Sequence, residues 1–118
     1  MEVGIEKTTA DGIYVVRVDG ELDLYTAPQL KDALDEVITA GHTSLVVDLT
    51  GVGFLDSTGL GVLLSGLKMI KALGQEGNLS LVVNDPHVSK VLRITGFEGL
   101  FDIHDSVGEA LAVKTGRS

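Results

Sequence analysis

The 118-residue chain contains no cysteine, so neither a disulfide framework nor a thiolate metal site can be built from it, and a reducing compartment suits it. Tryptophan is absent and aromatics make up only 4% of the residues, so the core must be aliphatic, as in strands covered by helices. Basic residues are scarce as well: 9 Lys and Arg stand against 17 Asp and Glu, a formal net charge of −8. That sign repels phosphate backbones and anionic lipid head groups, which argues against direct nucleic-acid or membrane binding and suits a basic patch on another protein. No apolar run approaches the ~20 residues of a membrane span, and the opening MEVGIEKTT lacks the basic and apolar stretches of a signal peptide. The expectation is a cytoplasmic protein.

What is present is ample apolar material: 44% hydrophobic residues against 22% charged ones set the chain apart from disordered segments and suffice for one core. One domain over residues 1–113 is expected, with 114–118 as a frayed tail. Val3 and Ile5 predict a short strand, Asp11-Gly12 a tight turn and Ile13–Val18 a β-branched strand, together a hairpin. Thr26-Ala27-Pro28-Gln29 has the form of a capping box, after which Leu30, Leu34, Val37 and Ile38 recur at helical spacing up to Gly41. Ser44–Leu49 reads as a buried strand, Thr50–Asp56 as a loop, and Ser57–Leu73 as a second helix ending before Gly74. A strand over Leu79–Val83 and a short helix begun by Asp85-Pro86 and ended near Gly96 follow. A last strand, Phe101–His104, then precedes a helix opened by Asp105 or Ser106, with Val107, Ala110, Leu111 and Val113 inward. This alternation predicts the α/β class: an N-terminal hairpin leading into a mostly parallel sheet of about five strands, with four helices and right-handed crossovers.

In such sheets partners and ligands meet the loops after the carboxyl ends of the strands, here 19–25, 50–57 and 84–87. The most informative stretch is Phe54-Leu55-Asp56-Ser57-Thr58-Gly59-Leu60-Gly61, which sets a hydroxyl between an acid and glycines at the start of a helix. Ser57 or Asp56 can simply cap that helix. Equally, Ser57 can accept a phosphate, since a helix N-terminus tolerates the added charge and Gly59 and Gly61 leave room for another protein's backbone. A catalytic or phosphate-cradling loop fails on spacing. Leu55 stands where a nucleophile elbow needs its first glycine, no P-loop pattern occurs, and Gly51-Val52-Gly53 is not completed as a dinucleotide fingerprint.

These residues carry a resemblance. Gly20-Glu21-Leu22-Asp23-Leu24-Tyr25-Thr26-Ala27-Pro28, Val46-Val47-Asp48-Leu49, Asp56-Ser57-Thr58-Gly59-Leu60-Gly61 and Arg93-Ile94-Thr95-Gly96 make the whole chain similar to the single-domain STAS proteins that antagonise bacterial anti-sigma factors. The resemblance implies a protein that is not an enzyme but a kinase substrate. The serine matching Ser57 is phosphorylated by an anti-sigma factor that is itself an ATP-dependent serine kinase, and a serine phosphatase resets it. The unphosphorylated form binds the anti-sigma factor and frees the sigma factor. It further implies that Asp23 lies near Ser57 and helps position it for the partner; read from the residues alone, Asp23 is a solvated loop acid ending the alternating series Asp19, Glu21, Asp23. The partner-binding residues expected are Asp23, Asp56, Ser57, Thr58, Gly59, Gly61, Val62 and Met69, and no cofactor or metal is implied.

Val62 and Met69 enter through a second apolar stripe, Val62, Gly66, Met69 and Leu73, beside the core stripe Leu60, Leu63, Leu67 and Ile70. Either the helix is buried broadly or this stripe is partly exposed for the partner. Thr58 is a neighbouring hydroxyl and a decoy for phosphate. His42, His87 and His104 lack paired ligand spacing. Two rivals share the pattern. One is a two-component receiver with Asp48 as phosphoacceptor, opposed by the opening hairpin and the lack of an acidic pair. The other is a STAS subunit of a transporter or sensory assembly, opposed by the intact Asp-Ser-Thr-Gly.

Overall fold

The computed structural model describes residues 3–73 and 77–116, so the predicted helix stop at Gly74 lies outside the described residues. The chain opens with a hairpin of β1 (Val3–Ala10) and β2 (Ile13–Leu22), joined as predicted by Asp11-Gly12, both at positive φ as the tightest hairpin turn requires. Helix α1 (Ala27–Thr39), β3 (Ser44–Leu55), α2 (Ser57–Ala72), β4 (Asn78–Val82), α3 (Pro86–Ile94), β5 (Asp102–His104) and α4 (Val107–Thr115) follow, with a 3-10 turn at Phe97–Gly99 between α3 and β5. The described strands form one sheet in the order β1-β2-β3-β4-β5, antiparallel at β1 and parallel elsewhere. Because each parallel strand is added on the same side of the last, right-handed crossovers place α1, α2 and α3 on one face. The main core lies there, joining Leu30 and Leu34 of α1, Leu63 and Ile70 of α2 and Val88 and Leu92 of α3 to the sheet. Helix α4 covers the other face with a smaller cluster of Ile13, Val15, Val46, Val82 and Ala110. None of the described helices is long and apolar enough to cross a membrane.

Helix α1 ends where Gly41 was expected to end it. At φ +99 the glycine turns the chain so that its amide reaches Ile38 O (2.9 Å) and the His42 amide reaches Val37 O (3.2 Å). Several expectations need correction. The segments read as loops at 19–22 and 50–55 are strand: after one irregularity of register between Arg17 and Asp19, β2 and β3 stay paired from Asp19↔Gly51 to Leu22↔Leu55, through a second between Gly20 and Glu21. Glycine and polar residues suggested turns, but Leu22, Val52 and Leu55 are buried and hold this ribbon to the core, and a side chain at Gly51 would run into Asp19. Nor is the α1 start a capping box, since the Thr26 side chain makes no cap bond to its helix. Its hydroxyl instead donates to Glu21 O (2.5 Å), recruited by the strand it follows. Val113 is exposed, not inward. Helix α4 runs through Lys114 and Thr115, anchored by Lys114 Nζ donating to Asn78 O (3.0 Å), so the tail can begin no earlier than Gly116; residues 117–118 lie outside the described residues.

Candidate functional site

The carboxyl ends of β2, β3 and β4 each lead into a helix, and at each one an aspartate folds its carboxylate back onto two backbone amides. Asp23 Oδ1 accepts from the Tyr25 and Thr26 amides (2.9 and 3.0 Å). Asp56 Oδ1 accepts from Thr58 and Gly59 (2.9 and 3.3 Å), and Asp85 Oδ1 from His87 and Val88 (2.8 and 3.1 Å). Short polar side chains favour this local closure, which satisfies amides that no helical carbonyl can reach. The first two turns are tied together, because the Asp56 amide donates to Leu22 O (3.1 Å).

Asp56 is therefore the cap of α2, in extended conformation at φ −104, and Ser57 is the first helical residue. Ser57 is exposed, and among the described residues its hydroxyl has no hydrogen-bond partner, so the capping alternative holds for Asp56 and not for Ser57. Thr58 is half-buried. Gly59 and Gly61, expected to admit another protein, differ. A Cβ on Gly59 would lie 2.6 Å from Leu55 Cδ1 and 3.0 Å from Leu22 Cβ, so this glycine is buried and lets α2 close onto its own strands. Gly61 is exposed, with open space where a Cβ would stand.

Asp23 is not a solvated loop acid; only 8% of its surface is exposed, and the carboxylate series does not continue outward to it. Burial pushes its carboxyl up, but the amides of Thr26 and Tyr25 and the Thr26 hydroxyl outweigh this and hold it below the usual carboxylate value. The Leu22↔Leu55 pairing brings the Asp23 turn alongside the Asp56 turn. On the crest of the Asp23 turn Leu24 and Tyr25 are 63% and 80% exposed, and across the ribbon Phe54 is 39% exposed, its ring stacked 6.3 Å from that of His87. This apolar rim escaped sequence reasoning. The pair Leu24-Tyr25 inside an acidic turn was its one visible signal, and Phe54 joins it only through the β2–β3 register.

The second stripe of α2 divides along its length. Val62 is buried in the core and cannot serve a partner without unfolding, because α1 packs close to that flank, with Leu34 and Ile38 near Gly66. Met69 is half-buried and Leu73 is 51% exposed. The outward face of α2, in line with Ser57, consists of Gly61, Leu64, Ser65, Lys68 and Ala72.

Asp48 is 4% exposed and fully engaged: Oδ1 accepts from the Thr50 amide and hydroxyl (3.0 and 2.7 Å), and Oδ2 from Arg17 (3.2 Å), which also reaches Asp19. A phosphoacceptor needs a free, accessible oxygen, and a receiver sheet runs 2-1-3-4-5, so both the residue and the strand order depart from the receiver reading. The three histidines lie apart: His42 against Tyr14, His87 against Phe54 and His104 against Glu109.

The STAS domain model matches residues 4–110, and the chain belongs to the STAS domain family. It is 34% identical over 105 residues to the anti-sigma-B factor antagonist of Staphylococcus aureus, a match spanning 89% of this chain and 95% of that one. Among solved structures it is similar to an anti-sigma factor antagonist from Mycobacterium paratuberculosis, with TM-score 0.86, 31% identity and coverage of 95% and 93% of the two chains. The Bacillus cell fate determinant SpoIIAA in its phosphorylated form shares the fold at TM-score 0.71 and 24% identity, covering 92% of this chain and 96% of that one.

Proposed function

We propose that this chain is an anti-sigma factor antagonist, a cytoplasmic switch protein with no catalysis of its own. Its unphosphorylated form binds an anti-sigma factor that is also a serine kinase, and so releases the sigma factor. Phosphorylation of Ser57 turns binding off, and a serine phosphatase restores it. The observation that carries this reading is the exposed hydroxyl of Ser57, without a hydrogen-bond partner among the described residues, on a helix start already capped by Asp56. A phosphate there leaves the cap intact and meets the positive end of the α2 dipole, so the fold tolerates it. In an interface the same group, at about −1.5 to −2 charge, must be desolvated beside Asp56, which opposes docking.

The docking surface consists of Ser57 and Gly61 on α2, flanked by Leu24, Tyr25 and Phe54. Exposed aromatics and leucine around a polar target are the residue types that anchor protein interfaces. Asp23 acts as a positioning residue that holds Leu24 and Tyr25 beside Ser57, and Thr58 and Gly59 shape the first turn. Intact mass after incubation with ATP and purified anti-sigma factor kinases tests the switch, with site mapping and Ser57→Ala as control. One phosphate on Ser57 accompanied by loss of binding is the expected result; a phosphate on another residue, or none at all, overturns it and favours a STAS subunit of a transporter or sensory assembly.

A further inference from the structure

The outward face of α2 does not stop at the phosphoacceptor. Ser57, Gly61, Leu64, Lys68 and Ala72 follow one another at steps of three and four, a line of ~22 Å along the helix axis at 1.5 Å per residue. At its far end the line opens into a groove of about 620 Å³ between the C-terminal turns of α1 and α2, lined by Ile38, Thr39, Thr43, Met69, Ala72 and Leu73. Met69 and Ala72 also line the shallower channel that runs back past Lys68 and Ser65 to Gly61, so groove and channel form one continuous surface with the Ser57 end. The groove is apolar at Ile38, Met69, Ala72 and Leu73, and Leu73 leaves half its surface in water. Lys68 beside it is exposed and, among the described residues, has no acidic partner, in a chain of net charge −8.

We propose that this groove is a second anchor point for the anti-sigma factor, a socket for a large apolar side chain that the partner carries next to a carboxylate. The inference rests on the function proposed above and adds a site remote from Ser57. The apolar side chain fills the space between Ile38 and Leu73, and the neighbouring carboxylate pairs with Lys68. Continuity with the α2 docking face selects this occupant. A partner already laid along Ser57 and Gly61 reaches the groove without leaving the helix, and the exposed Lys68 at its edge selects an acidic neighbour for the apolar anchor. Such a socket supplies affinity that phosphorylation does not touch, and it discriminates among anti-sigma factors that would all tolerate the same phosphoacceptor turn.

The test uses the full chain with Ala72→Arg, which fills the groove, and Lys68→Glu, which reverses the edge charge; both positions are exposed, and melting curves verify that the fold is kept. Binding to a panel of purified anti-sigma factor kinases is measured by calorimetry beside Gly61→Arg. Ala72→Arg and Lys68→Glu are each expected to weaken binding about tenfold or more, the Lys68→Glu loss shrinking at high salt, while phosphate transfer to Ser57 in the saturated complex proceeds at the wild-type rate. If both variants bind within about twofold of wild type while Gly61→Arg does not bind, the socket is refuted and the function stands. If no kinase in the panel binds the wild type, both fall.

Discussion

Two turns at the same end of the sheet are built alike and leave opposite things in water. After Asp23 the turn buries its carboxylate and lifts Leu24 and Tyr25 outward; after Asp56 it leaves a bare hydroxyl on the first residue of a helix. The anchoring aspartate is a folding device in both. What the partner meets is set by the one or two residues that follow it. An acid-hydroxyl motif therefore does not by itself mark which of its members is exposed.

Changes to the two turns should separate these roles. The largest effect belongs to Ser57: phosphorylation, or Ser57→Glu in weaker form, should lower affinity for the anti-sigma factor on the order of a hundredfold, about 3 kcal/mol, with little change in melting temperature. Tyr25→Ala on the other turn should cost binding about tenfold while leaving phosphorylation at saturating kinase unchanged; equal binding by that variant would confine the interface to α2. On stability, Gly59→Val should destabilise by about 1–3 kcal/mol in urea titrations because it forces Leu22 and Leu55 apart, whereas exposed Gly61→Ala should stabilise by up to about 1 kcal/mol. Asp56→Ala, which removes the cap but not Ser57, should cost about 1 kcal/mol.

The smallest and most specific effect is a pH dependence. The Asp23 carboxyl lies lower in the folded chain than in the unfolded one, where it titrates near ~3.9. Its stabilisation is thus fully present above that value and is lost as pH falls below it, through the lower folded value. The stability difference between wild type and Asp23→Asn should stay constant from neutral pH to about pH 5 and shrink below pH 4. A difference that grows on acidification would mean that the carboxylate is not held by the Tyr25 and Thr26 amides.

Much of this arrangement was legible where local chemistry is decisive. Asp11-Gly12 dictated the hairpin turn, Gly41 the end of α1, and the alternation of strands and helices the mostly parallel sheet, whereas the strand order that puts the crossover helices on one side was not legible. Legibility failed where distant residues decide. Thr26 matched a cap motif, but Glu21 and Asp23 claim its hydroxyl. Gly51 and Gly53 looked like loop because the pairing that holds them in β3 comes from β2. Helical spacing found both stripes of α2 but could not show that α1 buries Val62 while leaving Leu73 in water. Ser57 was legible as a candidate, yet the reason its side chain stays exposed, the cap supplied by its neighbour Asp56, is a matter of which carboxylate turns inward.

Strand β1, eight residues long, occupies one margin of the sheet, and the backbone groups of alternate residues along it would accept another strand. Two copies meeting there about a two-fold axis must set residues of the same face opposite each other. The two registers that use the strand most fully then centre on Glu6 facing Glu6 or Lys7 facing Lys7. Either arrangement opposes like charges at the seam. The adjacent Glu6-Lys7 pair thus discourages the protein from zipping to itself, most clearly in the register that sets Glu6 against Glu6, since Lys7 already pairs with Glu36 (2.8 Å).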